Sequence, residues 1–471
     1  MGYFKRFSPQ GRIEESFTSH QGIEHDTLEA FGRDWEQVGQ PDIAPVYPSK
    51  IYLPQTTAEV VAAVKEAKLL GQRLTIRSRG HSSNDLVVTS GPVLSTTRLN
   101  KLLAFDETAM TAQVQAGMVS ADLDEHLRPL GYGLPVIGDH NDITVGGFSS
   151  VGGIGPASFR HGMFIDNVLG FEFVNFDGDV VACSRSVNAD HFWRVLCGTG
   201  QHGIITAMTC RFIRIDKYGT VLRNRRKLYR DLEAFVHDTL GLMINPGPDN
   251  FMLRAAWNDL GKIQIGHVSQ YQETPQSRLK TLRNKLVYGW LHFLGRNAGT
   301  LPLKLDKVVK ALGTLGVLAP PGYASIKNVE FFSDRIVDST VGDPTRWFIL
   351  LVPSQAYRQM FFNVYQAALD FKQRLGCFTF VCLYVKVFKS AYLSDDPNQF
   401  YCEMNLLVGI SPRGIQSDEL AALVSRIDDV CIEHGALRYM HTKTVKDAAR
   451  RQKLDPNAVR AARGGTHPAA R

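Results

Sequence analysis

The segment from Gly138 to Gly162 constrains this chain more than any other. It reads Gly138-Asp139-His140-Asn141-Asp142-Ile143-Thr144-Val145-Gly146-Gly147 and continues through Ser150, Gly152, Gly153 and Gly155 to Arg160-His161-Gly162. Glycine loses the most backbone entropy on ordering and brings no side chain to pack. A run this rich in it is not expected to be an ordinary helix or strand. It has to be held by a ligand or by another backbone pressed against it.

Two further clusters share that character. Arg77-Ser78-Arg79-Gly80-His81-Ser82 follows Leu74-Thr75-Ile76-Arg77-Ser78, whose alternation reads as a strand. Successive N–H groups in such a turn can form an anion nest suited to a pyrophosphate. Gly198-Thr199-Gly200-Gln201-His202-Gly203 precedes the apolar Ile204-Ile205-Thr206. None of the three is a Walker A sequence or a GxGxxG opening a helix. Taken alone, the first cluster also reads as a polar turn between strands.

At 471 residues the chain is too long for one compact core, so two domains are expected. Its 44% hydrophobic and 21% charged content argues against disorder and against a coiled coil. The net charge of +7 gathers in the tail, where Lys443, Lys446, Arg450, Arg451, Lys453, Arg460, Arg463 and Arg471 face only Asp447 and Asp455. A solvated helix with a frayed end is expected there. No stacking platform or recognition motif points to nucleic acid. Seven cysteines without CxxC spacing fit a reduced, cytoplasmic protein better than a disulfide framework or a zinc site, and no metal is expected. MGYFKRFSPQ lacks a signal-peptide apolar run, and Arg6 stands where a myristoylation signal wants Ser or Thr. The apolar region 286–322 is broken by Lys304, Asp306, Lys307 and Lys310, so no transmembrane segment is expected. Helical decoration or a lid over a hydrophobic substrate are the readings for 286–326. Oligomeric state is not legible.

Along the chain, Thr56 and Glu59 form a capping box ahead of an apolar stripe of Val60, Val61, Val64 and Ala67, ended by Gly71. A strand is expected over 111–117, a helix over 120–130, and a hairpin around Asp177-Gly178. Asn188 can cap a short helix, and a strand runs from Ile204 to about Ile213. A basic stretch, Arg223 to Lys227, opens the second half. Strands are expected there at 262–268, 347–352, 378–388 and 400–409, with helices at 355–375 and 417–434. That order suggests a sheet covered by helices on one face.

Together and in this order, the three clusters resemble the FAD-binding domain of the vanillyl-alcohol oxidase and p-cresol methylhydroxylase (PCMH) type, and most of all that of cytokinin dehydrogenases. The resemblance covers about Pro48 to Asp216. It implies an α+β, two-domain flavoenzyme: an N-terminal segment over 1–47, an FAD-binding PCMH-type domain over 48–216, a substrate-binding cap with an antiparallel sheet covered by helices over 217–440, and a basic C-terminal helix and tail over 441–471. It places Ser78, Arg79, Gly80 and Ser82 with the pyrophosphate, and His81 on the histidine that many members join covalently to the flavin. Thr144, Gly146, Gly147, Ser150 and Ile154 fall on the second FAD loop, His161 on the turn after it, and Ile204 and Ile205 on a strand facing the cofactor. No cysteine occurs between 84 and 182, so a second covalent link is not expected. Asp139 aligns with the base that accepts the substrate N–H proton in cytokinin dehydrogenases, and also contacts the cofactor. Asp142 is an equally placed alternative, and either can instead cap a loop.

In Thr379-Phe380-Val381-Cys382-Leu383-Tyr384-Val385-Lys386-Val387-Phe388, alternation puts Phe380, Cys382, Tyr384, Lys386 and Phe388 on one face. Both faces are largely apolar, so Lys386 is costly to bury without a cavity or a charge partner. The segment is similar to the Leu-Lys-Arg-Phe strand of aldonolactone and alditol oxidases, whose lysine sits beside the flavin. That resemblance implies catalytic roles for Lys386 and Tyr384; the bland reading is a lysine snorkelling at a sheet edge. The whole predicts an FAD enzyme oxidising a C–OH bond of a small sugar, alcohol or lactone, and passing electrons to oxygen or another acceptor. Cytokinin-type amine oxidation is the alternative, and a flavin-binding carrier or regulator without turnover is the alternative of another class.

Overall fold

The computed structural model describes residues 28–34, 44–82, 86–140, 142–245, 247–259, 262–297, 322–330, 345–375, 378–410, 417–440, 445 and 447–462. Most of the expected segment 1–47, much of 286–326 and the tail beyond Ala462 lie outside the described residues. The chain divides into two compact units. Residues up to Gly155, Met163–Lys217 and those from Arg460 on form the first; Pro156–Gly162 and Tyr218–Val459 form the second. The expected partition was continuous. Pro156–Gly162 joins the second unit because Phe159 packs on that unit's core. Arg460 belongs to the first, with its guanidinium 4.2 Å over the Trp193 ring.

The first unit has strands β1 (Lys50–Tyr52), β2 (Thr75–Arg77), β3 (Pro92–Ser95), β4 (Leu102–Asp106), β5 (Thr111–Gln115), β6 (Tyr132–Gly133), β7 (Val168–Val174), β8 (Val180–Ser184), β9 (Ile204–Arg211) and β10 (Ile213–Arg214). Its helices of seven or more residues are α1 (Thr57–Leu69), α2 (Ser120–Leu127), α3 (Val145–Val151) and α4 (Ala189–Val195). A parallel sheet orders β1-β3-β2, and an antiparallel sheet orders β4-β5-β9-β7-β8. Helix α1 links them: Val60, Ala63, Val64 and Ala67 pack with Leu74, Leu94, Leu99, Val174 and Ile204, while Val61 is only partly buried. The Thr56 hydroxyl accepts from Glu59 N–H at 3.3 Å, and the Glu59 carboxylate accepts from Gln55 N–H at 2.7 Å. The reciprocal bond therefore sits one residue earlier than the expected capping box. Asn188 precedes α4 but makes no side-chain cap; its amide donates to Ala182 O at 2.8 Å.

The second unit is built on one eight-stranded antiparallel sheet. Its strands are β11 (Val221–Tyr229), β12 (Asn250–Asp259), β13 (Gln264–Glu273), β14 (Tyr323–Ser325), β15 (Thr345–Pro353), β16 (Phe378–Phe388), β17 (Tyr401–Ile410) and β18 (Leu437–Arg438), in the order β14-β11-β13-β12-β16-β17-β15-β18. Its helices of five or more residues are α5 (Leu232–Ile244), α6 (Arg278–Asn297), α7 (Ile326–Glu330), α8 (Tyr357–Leu375), α9 (Ser417–His434) and α10 (Ala448–Leu454); α11 (Pro456–Ala462) ends the described chain. Leu253, Ala255 and Trp257 of β12, Val381 to Val387 in alternation on β16, and Met404, Leu406 and Val408 of β17 form one core with Phe235 of α5, Phe361 of α8 and Ile427 of α9. Helices α5, α8 and α9 thus cover one face of the sheet.

Two strands and a helix differ from expectation. The stretch Arg223–Lys227 is the middle of β11, whose exposed cations hide its alternation. Strand β12 is buried at all of its positions, so it has no amphipathic signal to read. The basic tail is two short helices rather than one solvated helix: Leu454 is fully buried, Arg451 pairs with Asp455 at 3.1 Å and Arg450 with Asp429 at 2.5 Å.

Candidate active site

The three glycine-rich clusters, the second as far as Gly155, meet within the first unit. Ser78 Oγ lies 2.8 Å from Thr144 Oγ1, joining the first cluster to the second. Asp142, fully buried, lies 3.6 Å from Arg79 Nε and 3.5 Å from His81 Nε2. Thr199 N–H donates to Ser150 O at 2.9 Å, and Cys197 N–H to Ser149 O at 3.0 Å, joining the second cluster to the third. Gly200 lies against Ile76, so the third returns to the first.

Local sequence explains each piece. Arg77 is buried, with its guanidinium donating to Ala30 O and Arg33 O, both at 2.9 Å. Burial pushes its pKa down to about 10. Gly80 has φ +72, and a Cβ there would stand 2.2 Å from Arg77 Nη2; only glycine lets the chain turn over that anchored side chain. The second cluster corrects an expectation. Despite its glycines it contains a helix, α3, capped by Thr144, whose hydroxyl accepts from Gly147 N–H at 3.2 Å. Backbone contact is the reason glycine is kept there: a Cβ on Gly146 would stand 2.8 Å from Ala116, and one on Gly155 would stand 1.9 Å from Ile137 O.

Ser150 Oγ turns back to donate to Gly146 O at 2.8 Å, and Ile154 is buried. Ile204 and Ile205 are buried on β9, and β5 pairs with β9 only from Ala207 onward. Asp139 is half-buried beside His140, whose ring centroid is 5.3 Å from that of His81. Asp142 is fully buried beside Arg79 and His81, and Asp139 is half-buried. His161 clusters with the second unit, and its ring lies 6.4 Å from that of Phe251.

In the second unit, alternation on β16 sends Val381, Leu383, Val385 and Val387 into the core. Tyr384 and Lys386 therefore take the opposite face of the sheet. Lys386 is not at an edge: β16 lies between β12 and β17. Its Nζ lies 2.9 Å from Glu403 Oε2, its register partner on β17, and both side chains are 4% exposed. Arg254 Nη1 donates to Tyr384 Oη at 2.5 Å and Nη2 to Val329 O at 2.6 Å. Because the guanidinium donates to the phenol oxygen, the phenol O–H is directed elsewhere.

The same face continues through Ser269, the register partner of Arg254, and His267, the partner of Ala256. Burial, followed by Arg254 and Arg226, pushes His267 down to about 4, so its imidazole is neutral. Among the described residues, His267 Nδ1, Ser269 Oγ, Asn405 Oδ1 and Asn258 Nδ2 are buried without a hydrogen-bond partner. Burial pushes the thiol of Cys382, on the same face, up to about 12. Reading the sequence missed Arg254 and Glu403. Each was visible as a lone charge in an apolar run, Phe251-Met252-Leu253-Arg254-Ala255-Ala256-Trp257 and Tyr401-Cys402-Glu403-Met404.

Residues 48–184 match the family described as FAD binding domain. The chain carries an FAD-binding domain. The match takes in the first two clusters, and the third lies just beyond it. Among curated relatives, cytokinin dehydrogenase 2 of Arabidopsis thaliana is 31% identical over 62% of this chain and 58% of its own length. L-gulonolactone oxidase of Mus musculus is 28% identical over 35% of this chain and 38% of its own length. D-arabinono-1,4-lactone oxidase of Candida glabrata is 29% identical over 35% of this chain and 32% of its own length. The chain thus spans between about a third and three-fifths of the relatives it matches. The residues of the FAD domain suit that cofactor. Ser82 Oγ is buried with no hydrogen-bond partner among the described residues, and Gly80 opens its loop to close backbone approach. Ile204 and Ile205 lie outside the pairing with β5.

Proposed function

We propose that this chain is an FAD-dependent oxidoreductase that oxidises a carbon bearing a hydroxyl in a small, hydroxyl-rich substrate. Bound flavin would take up the hydride at N5 and pass the electrons to oxygen or another acceptor. Ser78, Arg79, Gly80 and Ser82, with Thr144, Gly146, Gly147, Ser150 and Ile154, hold the cofactor, and the Ile204–Ile205 backbone borders it. His81 is the point of covalent attachment, and Asp142 sets its orientation through Nε2. Asp139 accepts the substrate proton. Tyr384, polarised by Arg254, and Lys386, held by Glu403, orient the substrate hydroxyl and stabilise developing negative charge.

The observation that carries the substrate class is the buried polar face of the second unit. His267 Nδ1, Ser269 Oγ, Asn405 Oδ1 and Asn258 Nδ2 offer hydrogen bonds that a polyol can meet. Burying such atoms unpaired costs roughly 1–3 kcal/mol each. Oxidation of a cytokinin-type C–N bond is the second reading, supported by the 31% identity to the plant enzyme; an apolar amine would leave those atoms unpaired.

Anaerobic mixing of the yellow protein with a panel of sugars, lactones, alcohols and amines tests the reading. Flavin bleaching by hydroxyl-bearing members is expected, and bleaching by amines alone would overturn the substrate class. Asp139→Asn is expected to slow reduction by roughly 10²–10⁴-fold, as loss of a general base does, with little change in binding. Equal effects on both would make Asp139 structural. Acid precipitation is expected to retain flavin in the pellet, and His81→Ala to release it.

A further inference from the structure

Helix α6 reads RLKTLRNKLVYGWLHFLGRN, with Arg278, Lys280, Arg283, Lys285 and Arg296 and no acidic residue. One side faces inward. Asn284 and Tyr288 are 5% and 3% exposed, and Asn284 Oδ1 accepts from Ser325 N–H at 3.1 Å. The opposite side presents Leu279, Leu282, Leu286 and Trp290, exposed by 76%, 54%, 66% and 60%. Spacings of three, four and four residues put these on a single strip. Singly exposed leucines are ordinary, but an aligned strip of large apolar groups marks an interaction surface. Arg278 and Lys285 flank the strip on one side and Arg283 on the other, all three exposed.

We propose that α6 docks the protein on an anionic phospholipid membrane, lying in the headgroup plane with its leucine and tryptophan strip inserted and its cations on lipid phosphates. Charge selects this occupant. A second copy would bring an identical cationic helix against this one, and like charges oppose that pairing. A nucleic acid would engage the cations but leave the leucine strip in water. Among the described residues no helix is long and apolar enough to cross a membrane, so this helix lies on the surface.

Co-sedimentation of the full-length, flavin-loaded chain with vesicles tests this. Binding to vesicles of phosphatidylcholine with phosphatidylglycerol is expected, weakened by salt and much reduced on pure phosphatidylcholine. Leu282→Ser with Leu286→Ser is expected to lower partitioning at least about tenfold. Arg278→Ala with Lys285→Ala is expected to lower it roughly 25-fold, about fivefold per cation. Leu69→Ser, at a position 87% exposed in the first unit, is expected to leave it unchanged. No sedimentation with the anionic vesicles overturns the proposal, as does indifference to the leucine substitutions or an equal loss in Leu69→Ser. Self-association without vesicles, abolished by Leu282→Ser with Leu286→Ser, would show that a second copy covers the strip instead.

Discussion

The Lys386–Glu403 pair separates structural from chemical roles in the second unit. At 2.9 Å, with 4% exposure on both sides, its Coulomb attraction is about 6 kcal/mol at an effective dielectric near 20. Desolvation removes several kcal/mol per ion, so the pair adds little net stability. Removing one partner is different, because the other charge stays buried. Glu403→Gln or Lys386→Met is expected to cost about 3–5 kcal/mol, or a fall in melting temperature of about 6–20 °C for a unit of this size. Lys386→Met combined with Glu403→Leu removes both charges, and is expected to recover most of that loss. Catalysis should not follow stability. If Lys386 acts on substrate, the double variant melts near wild type and still reduces its flavin slowly. Circular-dichroism melts and anaerobic stopped-flow reduction measure the two quantities on the same samples. Recovery of both in the double variant would refute a chemical role for Lys386; additive destabilisation would refute the buried pair.

Two further perturbations probe each unit. Gly80→Ala combines a left-handed backbone, costing about 1–2 kcal/mol, with displacement of the Arg77 guanidinium from its carbonyl partners. Loss of roughly 3 kcal/mol and of most bound flavin is expected, read from the ratio of flavin to protein absorbance; full flavin content would show that the loop tolerates a side chain. His267 takes its proton at about 4 when folded, against 6.5 ordinarily. Between those values the unfolded chain binds more protons, so stability falls as pH falls through that window, by roughly 3 kcal/mol in all. His267→Gln is expected to flatten the urea midpoint against pH between about 6.5 and 4, and an unchanged slope would assign the effect to another group.

Much of the local structure was legible because it is set by neighbours in sequence. The Thr56 cap, the Asp177-Gly178 hairpin and the long helices Tyr357–Leu375 and Ser417–His434 follow from capping residues, turn chemistry and apolar period. Legibility failed where partners are remote. Strand β12 is buried throughout and so has no period, and β11 reads as a charge run until its ladder with β13 is seen. The glycines of α3 break the propensity rule because Ala116, distant in sequence, presses against Gly146.

By itself, the sequence determined the chemistry available: three ordered glycine-rich loops, a histidine after Gly80, a carboxylate at Asp139 and a lysine in an apolar strand. These are matters of residue type and local spacing, which a chain carries folded or not. Tertiary structure alone decided which charges share a burial site. It paired Asp142 with Arg79 and His81, gave Lys386 to Glu403 and aimed Arg254 at the Tyr384 hydroxyl. Those pairings depend on strand register and on loops brought together across many residues. They shape the site because a buried charge is stable only beside a partner that the fold delivers.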